Sequence, residues 1–175
     1  RGKTTLCKLL MNQYEYTGKI ICNEKFVYFP CKIENKERMT IEILQEVCPS
    51  AEDWEFMKEM SSVDLDIEIL YKPFDILSNG EQTKILLVAL FMNDHQFLLI
   101  DEPTNHLDVE SRELVSKYLK SKKGYILISH DRMFLDECID HILTINKSSI
   151  EVYHCDFSTW LLEFKWYCVR KLYEL

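Results

Sequence analysis

Short unbroken apolar runs alternate along this chain with longer stretches of helical period. Phe97-Leu98-Leu99-Ile100 is preceded by the turn-like Asn93-Asp94-His95-Gln96 and followed at once by Asp101 and Glu102. Such a run reads as a strand buried on both faces of a parallel sheet. Tyr125-Ile126-Leu127-Ile128-Ser129 reads the same way and delivers Ser129-His130-Asp131 to the same edge. Between the two, Asp108 can cap a helix carrying Leu114, Val115, Tyr118 and Leu119 that ends at Lys122-Lys123-Gly124. Upstream, Leu6, Leu9, Leu10 and Tyr14 have helical spacing up to Gly18, and Lys19–Cys22 with Phe26–Phe29 read as a hairpin around Asn23-Glu24-Lys25, closed by Pro30. Thr40 can cap a helix through Cys48, and Ser50-Ala51-Glu52-Asp53 has the form of a capping box opening another, with Trp54, Met57 and Met60 as core residues. Ser78 and Glu81 form a second box at the start of a helix through Phe91 that is apolar on nearly every side from Ile85 onward. Ile142–Ile145 and Ile150–Tyr153 pair around Lys147-Ser148-Ser149, and Ser158 caps a last segment, Thr159–Leu175. The sum is an α/β chain with a helical insertion between strands.

At 175 residues and 47% hydrophobic, the chain can bury one sizeable core. The net charge of −8 argues against a broad basic face for nucleic acid. Seven cysteines, odd in number and never spaced as Cys-x-x-Cys, fit neither a disulfide framework nor a zinc site and point to a reducing, cytoplasmic setting. The longest apolar run, Ile85 to Met92, is far short of the roughly 20 residues that cross a bilayer, so no membrane insertion is expected. The opening Arg1-Gly2-Lys3-Thr4-Thr5 looks like the middle of a motif, so the chain reads as a fragment.

Four stretches carry chemistry. Gly2-Lys3-Thr4-Thr5 matches the second half of a phosphate-binding loop. In such a loop, backbone N–H groups and a helix N-terminus surround a phosphate, a Lys reaches the β/γ oxygens and a Thr hydroxyl binds Mg²⁺. In open α/β sheets ligands bind at the carboxyl ends of strands, where Asp101 and Glu102 stand ready for a phosphate-bound Mg²⁺ and an attacking water. The capped start of the Ser78 helix turns its positive end toward whatever lies beyond it, which suits an anion. A lone strand-end His is usually a turn residue; at this edge His130 becomes a candidate phosphate contact.

Gly2-Lys3-Thr4-Thr5, Leu77-Ser78-Asn79-Gly80-Glu81-Gln82, Leu98-Leu99-Ile100-Asp101-Glu102-Pro103-Thr104-Asn105-His106-Leu107-Asp108 and Ser129-His130-Asp131, in that order, resemble the Walker A, signature, Walker B with D-loop, and switch-histidine motifs of an ATP-binding cassette (ABC) ATPase. The resemblance covers nearly the whole chain. It implies a P-loop NTPase fold of the ABC type, with a parallel core sheet and an inserted helical subdomain at about 40–92. On this reading 1–157 form a partial ABC ATPase domain and 158–175 begin a linker helix between cassettes. The Asn105-His106-Leu107-Asp108 form is similar to the ABC-F subfamily, soluble twin-cassette proteins that act on ribosomes. Tyr28-Phe29-Pro30, Pro73-Phe74, Leu77 to Lys84 and Asp140 to Asn146 look most like the first cassette of Lsa/Vga-type antibiotic-resistance members.

The resemblance also implies roles. Gly2, Lys3 and Thr5 would hold ATP phosphates, and Thr4 and Asp101 would hold Mg²⁺. Glu102 would polarise the attacking water, and His130 would hold the γ-phosphate. Ser78 and Gly80 would close on the nucleotide of a second cassette of the same full-length chain, with Asp108 coupling the two sites. The ribosome would be met through the linker beyond Leu175, and the fragment alone is expected to be inactive. One position departs from the pattern: where many cassettes carry a metal-contacting Gln, this chain has Cys31, and a neutral thiol is a poor ligand for Mg²⁺. The alternative readings are the cytosolic ATPase subunit of a transporter and a low-turnover nucleotide-binding regulatory module.

Overall fold

The computed structural model describes residues 3–93, 96–146 and 149–163. Its centre is a three-stranded parallel sheet in the order β1 (Lys25–Phe29), β2 (Gln96–Asp101), β3 (Tyr125–Ile128). Val27 lies opposite Leu98, and Leu98 opposite Tyr125. Because successive side chains of a strand alternate, the apolar run of β2 serves two cores. Leu98 and Ile100 join the large cluster, while Leu99 packs with Cys7 and Ile128, flanked by Leu10, Met11, Phe26 and Phe97, beneath α1 (Lys3–Leu10).

The large cluster is walled by helices. α2 (Thr40–Val47) supplies Ile43 and Leu44, α3 (Asp53–Met60) supplies Phe56 and Met60, and α4 (Asn79–Phe91) is buried from Thr83 to Leu90. A helix without a polar face fits only inside a protein, which is why α4 runs through the centre. α5 (Val109–Ser121) and α6 (Arg132–Cys138) complete the wall with Val115, Leu119, Phe134 and Cys138. β4 (Ile142–Ile145) and β5 (Ile150–Tyr153) form the antiparallel pair that the sequence predicts; Lys147 and Ser148 of its turn lie outside the described residues. Among the described residues, no helix is long and apolar enough to cross a membrane. Six cysteines, all but Cys168, which lies outside the described residues, are free thiols.

Several local expectations are corrected. α1 stops at Leu10 instead of running to Gly18, because Asn12 takes a left-handed conformation (φ 57°). Asn12 N–H then donates to Leu9 and Gln13 N–H to Lys8, the paired bonds of a Schellman cap. Lys19–Cys22 form no strand, and β1 pairs in parallel with β2 instead of closing a hairpin. Thr40 is the first residue of α2 and not its cap; its hydroxyl donates to the Lys72 carbonyl at 2.8 Å. The box opening α3 uses Glu52 and Glu55 in place of Ser50 and Asp53, with Glu52 N–H donating to the Glu55 carboxylate at 2.8 Å. Trp54 is 62% exposed, whereas Met60 and Phe56 fill the core. α6 is an element that the hydrophobic pattern does not announce; Asp131 caps it by accepting from Phe134 N–H. In the last segment Asp156 accepts from Thr159 N–H, while Ser158 donates its own N–H to Asp136 of α6 at 2.7 Å. The continuation of that segment, 164–175, lies outside the described residues.

These positions separate core from surface. Phe56→Ala should cost about 3–5 kcal/mol, as large-to-small changes at fully buried aromatics do. Trp54→Ala should stay within about 0.5 kcal/mol. Urea unfolding followed by circular dichroism measures both, and equal losses would contradict the burial described.

Candidate functional site

β2 ends where the apolar core ends, and the first charges it carries are Asp101 and Glu102. Asp101 Oδ2 accepts from the Tyr28 hydroxyl at 2.7 Å and from the Thr4 hydroxyl of α1 at 3.4 Å. Three elements therefore converge on one carboxylate oxygen. Burial, with the hydrogen bond to Asp101 second, pushes the Tyr28 phenol well above its ordinary value, so it stays a donor. The Glu102 backbone continues the ladder, its N–H donating to Ile128 at 2.8 Å, and then turns sharply at φ 50°. That turn aims the side chain at the loop following β3. His130 N–H donates to Glu102 Oε2 at 3.4 Å, and His130 Nε2 stands 3.4 Å from Oε1. The second approach is close without being a hydrogen bond, since Glu102 Oε1 is buried and has no hydrogen-bond partner. The two side chains differ in exposure, 22% for Glu102 and 82% for His130. A shielded carboxylate oxygen with spare acceptor capacity, beside a solvent-facing imidazole, can take a proton from a water and present a donor to an anion.

A second group forms around the start of α4. The Ser78 hydroxyl and backbone N–H donate to Glu81 Oε2 at 2.7 and 2.8 Å, and Glu81 N–H returns to the hydroxyl at 3.2 Å. The hydroxyl donation from Ser78 is the main cause that holds the Glu81 carboxyl below its usual range. Asp108 caps α5 by accepting from Ser111 N–H at 2.8 Å, and that bond lowers its carboxyl in the same way. Gly80 approaches the loop before α5 so closely that a Cβ there would lie 3.4 Å from the His106 carbonyl. Ser78, Gly80, Lys84, His106, Asp108 and Ser111 line a depression of about 260 Å³.

The predicted residues thus fall into two sets: Thr4, Asp101, Glu102 and His130 at the strand ends, and Ser78, Gly80 and Asp108 in the depression. Lys3 and Thr5 open α1 beside Thr4 with exposed side chains, and Gly2 lies outside the described residues. Cys31 packs at the edge of the large cluster just after β1, and burial pushes its thiol up, so it remains neutral. Sequence reasoning missed Tyr28 and Arg112. The Arg112 guanidinium donates to the Leu107 carbonyl at 3.0 Å and to Asp131 Oδ2 at 3.2 Å. Neither has a local signal, because both act on residues distant in sequence or on a backbone carbonyl.

An open parallel sheet, with paired carboxylates at the end of its central strand and a helix opened by Lys3-Thr4-Thr5 beside them, defines a P-loop NTPase-type domain. The family description "ABC transporter" matches residues 1–105, and the chain belongs to that family of ATP-binding domains. ABC transporter F family member 5 of Arabidopsis thaliana is 27% identical over 91% of this chain and 24% of that protein. The energy-dependent translational throttle protein EttA of Mycobacterium tuberculosis is 40% identical over 51% of this chain and 16% of its own length. Among solved structures, the crystal structure of the complex of archaeal ribosomal stalk protein aP1 and archaeal ribosome recycling factor aABCE1 contains a chain 29% identical to this one, with a TM-score of 0.63, covering 81% of this chain and 29% of that one. The chain thus spans about a quarter or less of the curated relatives named here.

The Ser78 cap has a pH signature. Because the Glu81 carboxyl is lowered in the folded state, its contribution is complete above the ordinary glutamate value of about 4.3 and is lost as pH falls through the folded value. Ser78→Ala should cost about 1 kcal/mol at neutral pH, and the difference from wild type should shrink as pH falls below about 4. Carboxyl ¹³C titration should show Glu81 moving toward its ordinary value in the variant. An unmoved Glu81 would contradict the assigned cause.

Proposed function

We propose that this chain is part of the first cassette of an ABC-F-type ATPase that acts on the ribosome, as a Lsa/Vga-type antibiotic-resistance factor by ribosomal protection. The observation that carries the ATPase reading is the Glu102–His130 pairing across the ends of β2 and β3, next to Asp101 with its Thr4 and Tyr28 partners. The ribosomal reading draws on the relatives: one is named a translational throttle, and a structural neighbour comes from a complex of a ribosomal stalk protein with a recycling factor. Residues 1–157 would form the cassette portion and 158–175 the start of a linker, in a cytoplasmic protein.

The donor set fits Mg²⁺. Among the described residues no group of three or more His, Cys, Asp or Glu could hold a metal ion, so an all-protein cage is absent there. A hydroxyl and a carboxylate within 3.4 Å of each other supply the hard oxygens that Mg²⁺ accepts alongside substrate phosphates. Thr4 and Asp101 would hold it, and the ion would supply positive charge to the phosphates when bound. Gly2, Lys3 and Thr5 bind the phosphates at the start of α1. Tyr28 fixes the Asp101 rotamer by donating to it. The Glu102 carboxylate orients and deprotonates the attacking water, and His130 steadies the γ-phosphate. Ser78 and Gly80 present the α4 N-terminus to the nucleotide of the second cassette, and Asp108 links the two sites.

Glu102→Gln keeps the volume but removes the charge that makes the water nucleophilic, so ATP binding survives and hydrolysis does not. The full-length protein with Glu102→Gln and the matching change in its second cassette should co-sediment with ribosomes in ATP and inhibit cell-free translation. Lys3→Ala in that background should relieve much of the effect. If the doubly substituted protein ignores ribosomes and co-purifies with a membrane protein, a transporter motor replaces this reading.

A further inference from the structure

We propose that Arg112 is a positioning residue that ties the switch loop carrying His130 to the loop carrying Asp108, so that the two nucleotide-facing surfaces of this cassette move together. The inference deepens the ATPase reading above and rests on it for its catalytic consequence. Its physical basis is one guanidinium with two different tasks. Nε donates to the carbonyl of Leu107, the residue before Asp108, and Nη1 donates to Asp131, the residue after His130. The planar guanidinium holds these donors at a fixed mutual angle, so the two loops are placed relative to each other and not merely attracted.

Each end is anchored further. Asp131 uses its other oxygen to cap α6 through Phe134 N–H at 3.1 Å, and its own N–H donates to the Ser129 hydroxyl at 3.0 Å. His130, one residue earlier, contacts Glu102 through both its backbone and its ring. At the other end Leu107 is buried, and the preceding carbonyl of His106 faces Gly80 of the α4 start. A shift of the Leu107 carbonyl therefore changes the depression formed by Ser78, Gly80 and Asp108. Through these two bonds Arg112 joins the residue beside His130 to the residue beside Asp108. An ion pair with side chains 42% and 23% exposed adds little to stability, so geometry is its main contribution.

The test uses full-length protein and four variants: Arg112→Gln, Arg112→Lys, Asp131→Asn and the double Arg112→Gln/Asp131→Asn. The amide introduced by Asp131→Asn can still cap α6 through its side-chain oxygen, so that variant isolates the arginine bond. Without nucleotide, hydrogen exchange should quicken at residues 105–108 in Asp131→Asn, the end opposite that substitution, and at both 105–108 and 130–134 in Arg112→Gln, whose side chain touches both ends. In steady-state ATPase assays kcat should fall about tenfold in each single variant with KM for ATP unchanged. The double variant should be no slower than the slower single, because both remove the same link. All three single variants should keep a near-wild-type melting temperature, and Arg112→Lys should not restore kcat, since an ammonium cannot serve both acceptors in fixed geometry. Exchange confined to the substituted end, or kcat losses that multiply in the double variant, would overturn the proposal. If the wild-type protein hydrolyses no ATP, the ATPase reading fails by itself, and the nucleotide-free exchange experiment still decides the coupling.

Discussion

A strand covered on both faces and flanked on both edges can carry a carboxylate only at its end, because an unpaired buried carboxylate costs too much. β2 obeys this constraint, and much of the molecule depends on it. Leu98, Leu99 and Ile100 satisfy two cores at once, so neither face can shift without exposing the other. Asp101 and Glu102 come where the neighbouring strands also end, which brings Tyr28 from β1 and His130 from beyond β3 to the same place. The core and the site are therefore consequences of one run of residues. Moving β2 by one register position would turn Asp101 toward a core and break both.

The same economy governs α4. A helix buried from Thr83 to Leu90 has no face left for solvent, so its capped start is the part that can meet a ligand. Lys84 is the exception within it, 7% exposed, with its ammonium 3.4 Å from the Asp64 carbonyl. Its positive charge helps keep Glu81 and Asp108 ionised, after the hydrogen bonds that dominate both. Arg112 then links the far side of this arrangement to the switch loop. Packing supplies the frame, and a few directional polar groups decide how its edges face one another.

How much of this was legible in the chain follows from range. β2 and β3 announce themselves as apolar runs, and the Ser78 and Asp108 caps are local patterns, so their positions and chemistry could be read directly. β1 could not be assigned its partner, because parallel pairing joins Lys25 to Gln96 across the whole helical insertion; the nearby apolar pair Ile20-Ile21 offered a local but false hairpin. The end of α1 turned on Asn12 in a left-handed conformation, a position where Gly is the commoner signal. Trp54 is large and apolar but sits on the outer side of a short helix, where composition misleads. Tyr28 and Arg112 escaped notice because Tyr28 bonds to Asp101, far away in sequence, and Arg112 to a backbone carbonyl and to Asp131.

Glu102 adopts a backbone conformation with φ 50° that side chains other than glycine enter at a cost of roughly 1–2 kcal/mol. That conformation is what turns the carboxylate from the line of β2 toward His130. A glycine at this position would relieve that backbone cost, yet it would remove the carboxylate that meets His130. Stability and chemistry are opposed at this residue. If Glu102 acts on water as proposed above, selection that scores only survival of heat or denaturant would favour losing it, and turnover would have to be selected alongside stability.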